Sequence, residues 1–267
     1  MAKEEMKYSI ITINYNNAEG LRRTIRSVVG QTFGDFEYVI IDGGSTDGSV
    51  DVIKEYEGEI TYWVSEKDDG IYNAMNKGVK AAHGEYLIFM NSGDVFHSNS
   101  VLEDVASTKR AEDIIVGKVL TPDGNKFLYQ PKQPTMYFFY SSTIPHQGAF
   151  IKKWLLEKHP YDETLKITSD WKFFVEAVIF EHCSIEFVDI IVSTFDTGGI
   201  STTNSERTWA EKLSVMRTMF PERVLQDFST MKNSECLTQT LIPYLKQRYF
   251  IDKLLYRIGK ALLKLKH

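Results

Sequence analysis

The 267-residue sequence predicts an α/β fold: a mixed, mainly parallel sheet flanked by helices, with a helical extension at the C-terminal end. Three observations predict it. Short β-branched and aromatic runs alternate with helical patterns as far as residue 91. The apolar runs end abruptly in turn residues and carboxylates. From Asn204 onward the pattern is helical alone.

YSIITINYN, residues 8–16, is a β-branched run and reads as the first strand. Leu21, Ile25, Val28 and Val29 then share a helical face, with Asn16 or Asn17 placed as the cap. EYVIID (37–42) is the second strand, after which Ser45, Thr46 or Asp47 caps a short helix through Ile53 and Tyr56. ITYWVSE (60–66) is the third strand. In DGIYNAMNKGVKAAHG, Ile71, Met75, Val79 and Ala82 lie on one side of a helix, and EYLIFMN (85–91) is the fourth strand. This alternation predicts parallel strands joined by right-handed crossovers, with ligands at the carboxyl ends of the strands. Asp42, Glu66 and the turn from Asn91 to Asp94 fall at such ends.

The second half changes character. DIIVGKVLTPDGNKFLY reads as a hairpin around Pro122, Asp123 and Gly124, TSDWKFFVEAVIFEH (168–182) as an amphipathic helix, and SIEFVDIIVSTF as a further strand. We place one mixed α/β domain at residues 1–203 and a helical extension at 204–267.

Composition is that of an ordinary globule, 43% hydrophobic and 25% charged, and a net charge of −5 argues against nucleic acid as the main partner. Cys183 and Cys236 lack metal-ligand spacing and fit free thiols in a reducing compartment. The charged start MAKEEMKYS does not read as a signal peptide, and no apolar stretch approaches transmembrane length, so a cytoplasmic protein is expected. YLKQRYFIDKLLYRIGKALLKLKH (244–267) sets Ile251, Leu254, Leu255, Ile258, Leu262 and Leu265 against a stripe of Lys253, Arg257, Lys260 and Lys264. Such a helix either lies on an anionic membrane surface or docks on the domain or on a second subunit. Peripheral contact with the inner face of the plasma membrane and a homodimer are both open on this reading.

Four stretches carry candidate chemistry. IDGGSTDGS (41–49) joins a strand to a helix; Gly43 and Gly44 allow close backbone approach to a ligand, yet the stretch is neither a Walker loop nor a dinucleotide fingerprint, and a capped turn also explains it. Asp42 could accept from a base imide or a ribose hydroxyl. NSGD (91–94) offers a carboxylate and an amide, either as a divalent-ion ligand or as the cap of the helix beginning near NSVLEDV. Asp170, after Thr168 and Ser169, is either a favourable first-turn charge or a general base. His146, in IPHQGAF, reads on its own more readily as a structural histidine than as a site residue.

Together these stretches are more specific than any one alone. SIITINYNNAEGLRRTIRSVVGQTFGDFEYVIIDGGSTDGS resembles the opening of the family-two glycosyltransferases, EKDDGIYNAMNKGVKAAHGEYLIFMNSGD resembles their second block, and PHQGAFI, TSDWKFF and FDTGGIS resemble later ones. The resemblance implies the GT-A fold, a Rossmann-like mixed sheet. It also implies inverting transfer from a nucleotide-diphospho-sugar, often a UDP-sugar, with Mg or Mn, to a saccharide or lipid-linked acceptor in bacterial polysaccharide biosynthesis. By the same resemblance Thr12, Asn14 and Tyr15 line the nucleotide pocket, with Asp42 on the base and Gly44, Asn91 and Ser92 also in contact with the donor. Asp69, Asn73 and Lys77 line the sugar-nucleotide side, Asp94 holds the metal, Asp170 is the catalytic base, and His146 is a second catalytic candidate. Two departures stand out: the earlier aspartate of the DXD-type motif is missing, and Ser169 precedes Asp170 where Glu-Asp is usual. A nucleotidyltransferase would share the sheet but carry a basic, glycine-rich loop after the first strand, which NYNNAEGLRR does not resemble. A non-catalytic sugar-nucleotide-binding protein is the remaining alternative, and it gains if Asp94 or Asp170 lies outside the cleft.

Overall fold

The computed structural model describes residues 7–121, 123–124, 131, 133–196, 205–234, 250 and 253. The chain divides into two compact units, Met1–Leu213 and Ser214–His267. In the first unit β1 (Tyr8–Asn14), α1 (Ala18–Val29), β2 (Phe36–Asp42), α2 (Ser49–Glu55), β3 (Tyr62–Ser65), α3 (Ile71–Ala81) and β4 (Tyr86–Phe89) alternate as the sequence predicts. Then follow β5 (Val95–Phe96), α4 (Val101–Ser107), β6 (Ile114–Leu120), α5 (Met136–Ser141), β7 (Ala149–Lys152), α6 (Lys153–Lys158), α7 (Ser169–Val175) and β8 (Ile185–Thr194). α8 spans Ser205–Met219, and residues 222–234 of the second unit are helical.

One mixed sheet runs in the order β3-β2-β1-β4-β7-β6-β8-β5. β3, β2, β1 and β4 are mutually parallel; β7 enters antiparallel between β4 and β6, and β8 runs parallel to β6. The registers that matter for the site put Asn14 beside Asp42 and Asp42 beside Ser65.

Helices cover both faces of the parallel strands, so all seven residues of β1 are buried and the strand reads as a continuous apolar run. Tyr8, Ile10, Tyr38 and Ile40 pack with Leu21, Ile25 and Val28 of α1, each fully buried aliphatic side chain contributing about 1.5–3 kcal/mol. The spacing of those α1 residues is the one a helix face requires, and Asn17 caps the helix by accepting from the Gly20 N–H.

The 168–182 helix is present as α7 followed by a π-helical turn, Glu176–Phe180. The returning arm of the hairpin expected around Pro122–Gly124 falls largely outside the described residues, as do the amphipathic stretch 244–267 apart from Phe250 and Lys253, the end of FDTGGIS, and Cys236. Among the described residues no helix is long and apolar enough to cross a membrane.

Candidate active site

The site begins where β1, β2 and β3 end. Their shared register brings Asn14, Asp42 and Ser65 side by side. Asp42 is fully buried. One carboxylate oxygen accepts from Asn14 Nδ2 (2.7 Å) and Ser45 Oγ (2.6 Å), the other from the Ser45 N–H (2.9 Å) and Ser65 Oγ (2.5 Å). Burial pushes its pKa up, but the bonds from Ser45, Ser65 and Asn14 more than offset that and hold it below the ordinary carboxylate value. Asp47 latches the same loop, accepting from the Ala18 N–H of α1 (2.8 Å) and from Ser49 Oγ (2.6 Å). Asn14 keeps one buried atom, Oδ1, without a partner. Above this network Tyr15 is 69% exposed, an aromatic surface at a strand end. A side-chain carbon at Gly43 would lie 3.2 Å from the Tyr15 ring and 3.1 Å from Asp68 Oδ2, a tight fit that would make these side chains shift by a few tenths of an ångström. Gly44 is in the left-handed region, with φ +76°.

The end of β4 is different in kind. NSGD turns back under α1: Thr24 Oγ1 accepts from the Gly93 N–H (2.9 Å) and donates to the Asp94 carbonyl (2.7 Å). Gly93 has φ +109°, and a Cβ there would meet Asp196 Oδ2 at 2.8 Å; any other residue would be both strained and in collision. Asp94 is 4% exposed. It accepts from the Asp196 N–H at 2.8 Å and from the Gln147 side chain. Desolvation outweighs these bonds and the nearby His146, and pushes its carboxyl up to about 6, with the Asp196 charge adding to the effect.

A third group links β4 to α7. Asn91 Nδ2 lies 3.2 Å from His146 Nε2, His146 Nδ1 lies 3.2 Å from Asp170 Oδ2, and the Tyr72 hydroxyl donates to Asp170 Oδ1 at 3.2 Å. With the Asn91 amide in this orientation Nε2 must accept, so the imidazole proton is on Nδ1 and faces Asp170. Burial and the Asp170 charge keep the Tyr72 phenol protonated, with its pKa well above the ordinary value. Asn91 Oδ1 is buried without a partner.

Asn14, Tyr15, Asp42 and Gly44 thus cluster at one end, and Asn91, Ser92, Asp94, His146 and Asp170 at the other. Thr12 does not reach the cleft: it is fully buried, its hydroxyl donating to the Met90 carbonyl (2.7 Å) and lying 3.0 Å from the Tyr38 hydroxyl. On the α3 side, Asn73 Oδ1 accepts from the Asp69 N–H (3.3 Å) and its Nδ2 binds Glu163 (2.9 Å). Lys77 is paired with Asp68 (2.6 Å) and Glu66 (2.8 Å), which raise its pKa. Open grooves of about 480 and 550 Å³ flank α3, and neither is lined by Asp94, His146 or Asp170. Ser65, Asp68, Tyr72, Gln147 and Asp196 join the site without having been named as site residues, and Ser45 had been read only as a cap; all but Ser65 lie inside the stretches that carry the family resemblance.

A metal ion that also binds a diphosphate needs one or two protein carboxylates, phosphate and water filling the rest of its shell. Asp94, buried and short of compensating charge, with Asp196 beside it, fits that need. Among the described residues no cluster of three or more His, Cys, Asp or Glu side chains forms a cage that would hold an ion by itself.

The sheet places these polar residues at the carboxyl ends of parallel strands, where open α/β sheets bind their ligands. Residues 9–165 match the model of glycosyl transferase family 2, and the chain belongs to that family. An uncharacterised glycosyltransferase of Mycobacterium tuberculosis is 31% identical over 207 residues, 72% of this chain and 76% of the relative. A PGL/p-HBAD biosynthesis glycosyltransferase of Mycobacterium bovis is 28% identical, over 77% of this chain and 83% of its own. The crystal structure of S. aureus TarS 1–349 in complex with UDP-GlcNAc superposes with a TM-score of 0.61 at 22% identity, over 71% of this chain and 58% of that fragment, and shows the same GT-A fold. The protein is therefore a glycosyltransferase.

Proposed function

We propose that the protein is an inverting glycosyltransferase that uses a UDP-sugar and a hydroxyl acceptor, saccharide or lipid-linked, in bacterial surface-polysaccharide or glycolipid assembly. The observation that carries this reading is the Asn91–His146–Asp170–Tyr72 chain beside buried Asp94. The UDP-GlcNAc in the TarS crystal structure supports the choice of nucleotide.

Inversion needs one proton acceptor and no protein nucleophile. The acceptor oxygen bonds to the anomeric carbon as the bond from that carbon to the diphosphate oxygen breaks, and the electron pair of that bond leaves with the diphosphate. Asp170 takes the hydroxyl proton. His146 and Tyr72 each donate to one Asp170 oxygen, which fixes the carboxylate's orientation and leaves a lone pair on each oxygen. Tyr15 stacks on the base, and the Asn14–Asp42–Ser45 network fixes the loop beneath it. For Asp42 itself to accept from the base, one of its four donors must turn away. Asp94, with Asp196, would hold a divalent cation, which when bound offsets charge on the leaving diphosphate.

The reading is tested by screening UDP-, GDP- and dTDP-sugars for hydrolysis and thermal stabilisation, with calorimetry of UDP with and without Mn. A UDP-sugar should turn over with inversion at the anomeric carbon, and UDP should stabilise the protein more with Mn. Turnover of a GDP-sugar alone, or retention, would refute it.

A further inference from the structure

Asp170 follows a turn that has no partner for its N–H groups within its own segment. The amides of Lys166, Ile167 and Thr168, and the Thr168 hydroxyl, all donate to one distant carboxylate, Glu211, at 3.0, 2.8, 2.9 and 2.9 Å. Glu211 belongs to α8, 43 to 45 residues along the chain and beyond the end of the family match at residue 165. Its neighbour Lys212 is buried, donates to the Ser142 carbonyl (2.8 Å), and places its ammonium 4.8 Å from the ring centre of Trp171, the residue after Asp170. Trp171 in turn donates to the Phe139 carbonyl at 2.7 Å. Thr168, the N-cap of α7, gives that helix no side-chain bond, because its hydroxyl goes to Glu211.

We infer that Glu211 is a positioning residue for sugar transfer: by fixing the 166–168 turn it holds Asp170 against His146 and Tyr72. This rests on the reading of Asp170 as the base. Ile167 and Thr168 are buried, and with their N–H groups left unpaired the turn would relax; a shift of about 1 Å in a catalytic group costs roughly a hundredfold in rate.

The test compares Glu211→Ala, Glu211→Gln and Asp170→Asn in the full chain. The 15N shift of His146 Nδ1, read at one fixed pH, reports the His146–Asp170 bond and needs no donor. It should move in Glu211→Ala as it does in Asp170→Asn, and return in Glu211→Gln, which keeps an acceptor for Ile167 and Thr168. UDP affinity by calorimetry should stay within about twofold, while UDP release from UDP-GlcNAc should fall about ten- to a hundredfold in kcat and not in KM. Glu211→Ala added to Asp170→Asn should cost nothing further, because the two act as one unit. An unmoved His146 resonance in Glu211→Ala overturns the inference, whatever the turnover. If that variant does not fold, Thr168→Val, which removes one of the four bonds, carries the same resonance test. A moved resonance together with normal turnover in Asp170→Asn leaves the positioning intact and overturns the reading of Asp170 as base.

Discussion

Two aspartates end two strands of one sheet, with β1 between them, and their surroundings push them in opposite directions. Asp42, on β2, and Asp94, after β4, are both buried. Asp42 takes four hydrogen bonds, and its carboxyl is held below the ordinary value despite desolvation. Asp94 accepts from the Asp196 amide and the Gln147 side chain, has a second carboxylate beside it, and is pushed up to about 6. Depth and donors together decide the charge state: Asp94 is the more deeply desolvated of the two and has fewer donors to offset it. The first carboxylate is a latch that the chain satisfies for itself. The second carries a charge that two donors and the nearby His146 offset only in part, and this is why it is the one suited to a cation.

Asp170 is the control for this comparison, since neither buried aspartate is placed to take the proton. Asp170→Asn keeps the size and the helix start. Transfer should fall by about two to four orders of magnitude with UDP affinity nearly unchanged. A mutant that transfers normally but melts lower, by about 0.3–1 kcal/mol, would reduce Asp170 to a favourable first-turn charge.

Asp42→Ala should show the latch in stability. It strands donors from Asn14, Ser45 and Ser65 in a buried place, at a cost of about 2–4 kcal/mol in chemical denaturation. UDP affinity should fall with it, because the loop carrying Gly43 and Gly44 is no longer pinned. Unchanged UDP binding would remove this end of the sheet from the nucleotide site.

Asp94→Asn should have the opposite sign. Asn keeps an acceptor for the Asp196 N–H and carries no charge. Without metal at pH 7 the variant should be more stable than wild type, by up to about 3 kcal/mol for a shift from 3.8 to about 6. The pH dependence fixes the sign. A raised folded value means that the stabilising proton is fully bound below about 4, and that the stability it confers is lost as pH rises through about 6. Asp42 runs the other way: its contribution is present above the ordinary 3.8 and lost as pH falls through its lower folded value. Mn-dependent UDP binding should vanish in Asp94→Asn and, in wild type, should strengthen as pH rises through about 6. A destabilised Asp94→Asn would make Asp94 a second latch and end the contrast.

The strand ends were legible because EYVIID and YLIFMNSGD each run from a continuous apolar stretch into a carboxylate, a break in pattern that marks where a buried parallel strand stops. What each carboxylate does was not legible, because it depends on donors from elsewhere: Ser65 for Asp42, Asp196 and Gln147 for Asp94. Thr12 was placed in the pocket because β1 is buried throughout, so its sequence has no alternation to separate depth from rim. β7 escaped because AFIK is four residues long and pairs only with strands distant in sequence. Glu211 escaped for a similar reason, since no local pattern announces a carboxylate that serves a turn more than forty residues away.

The smallest effect is the sharpest test of counting donors. Ser65→Ala removes one of Asp42's four hydrogen bonds and leaves no buried donor stranded, because the donor itself is deleted. The cost should be about 0.5–1.5 kcal/mol, the net worth of one such bond, well below that of Asp42→Ala. The Asp42 carboxyl should rise toward the ordinary value, so the acid limb of the stability curve should move to higher pH by part of a unit. Asn14 and Ser45 still hold the loop, so UDP affinity should change less than twofold. If Ser65→Ala instead costs as much as removing Asp42, the four bonds act as one cooperative unit, and donor number alone would not account for the difference between Asp42 and Asp94.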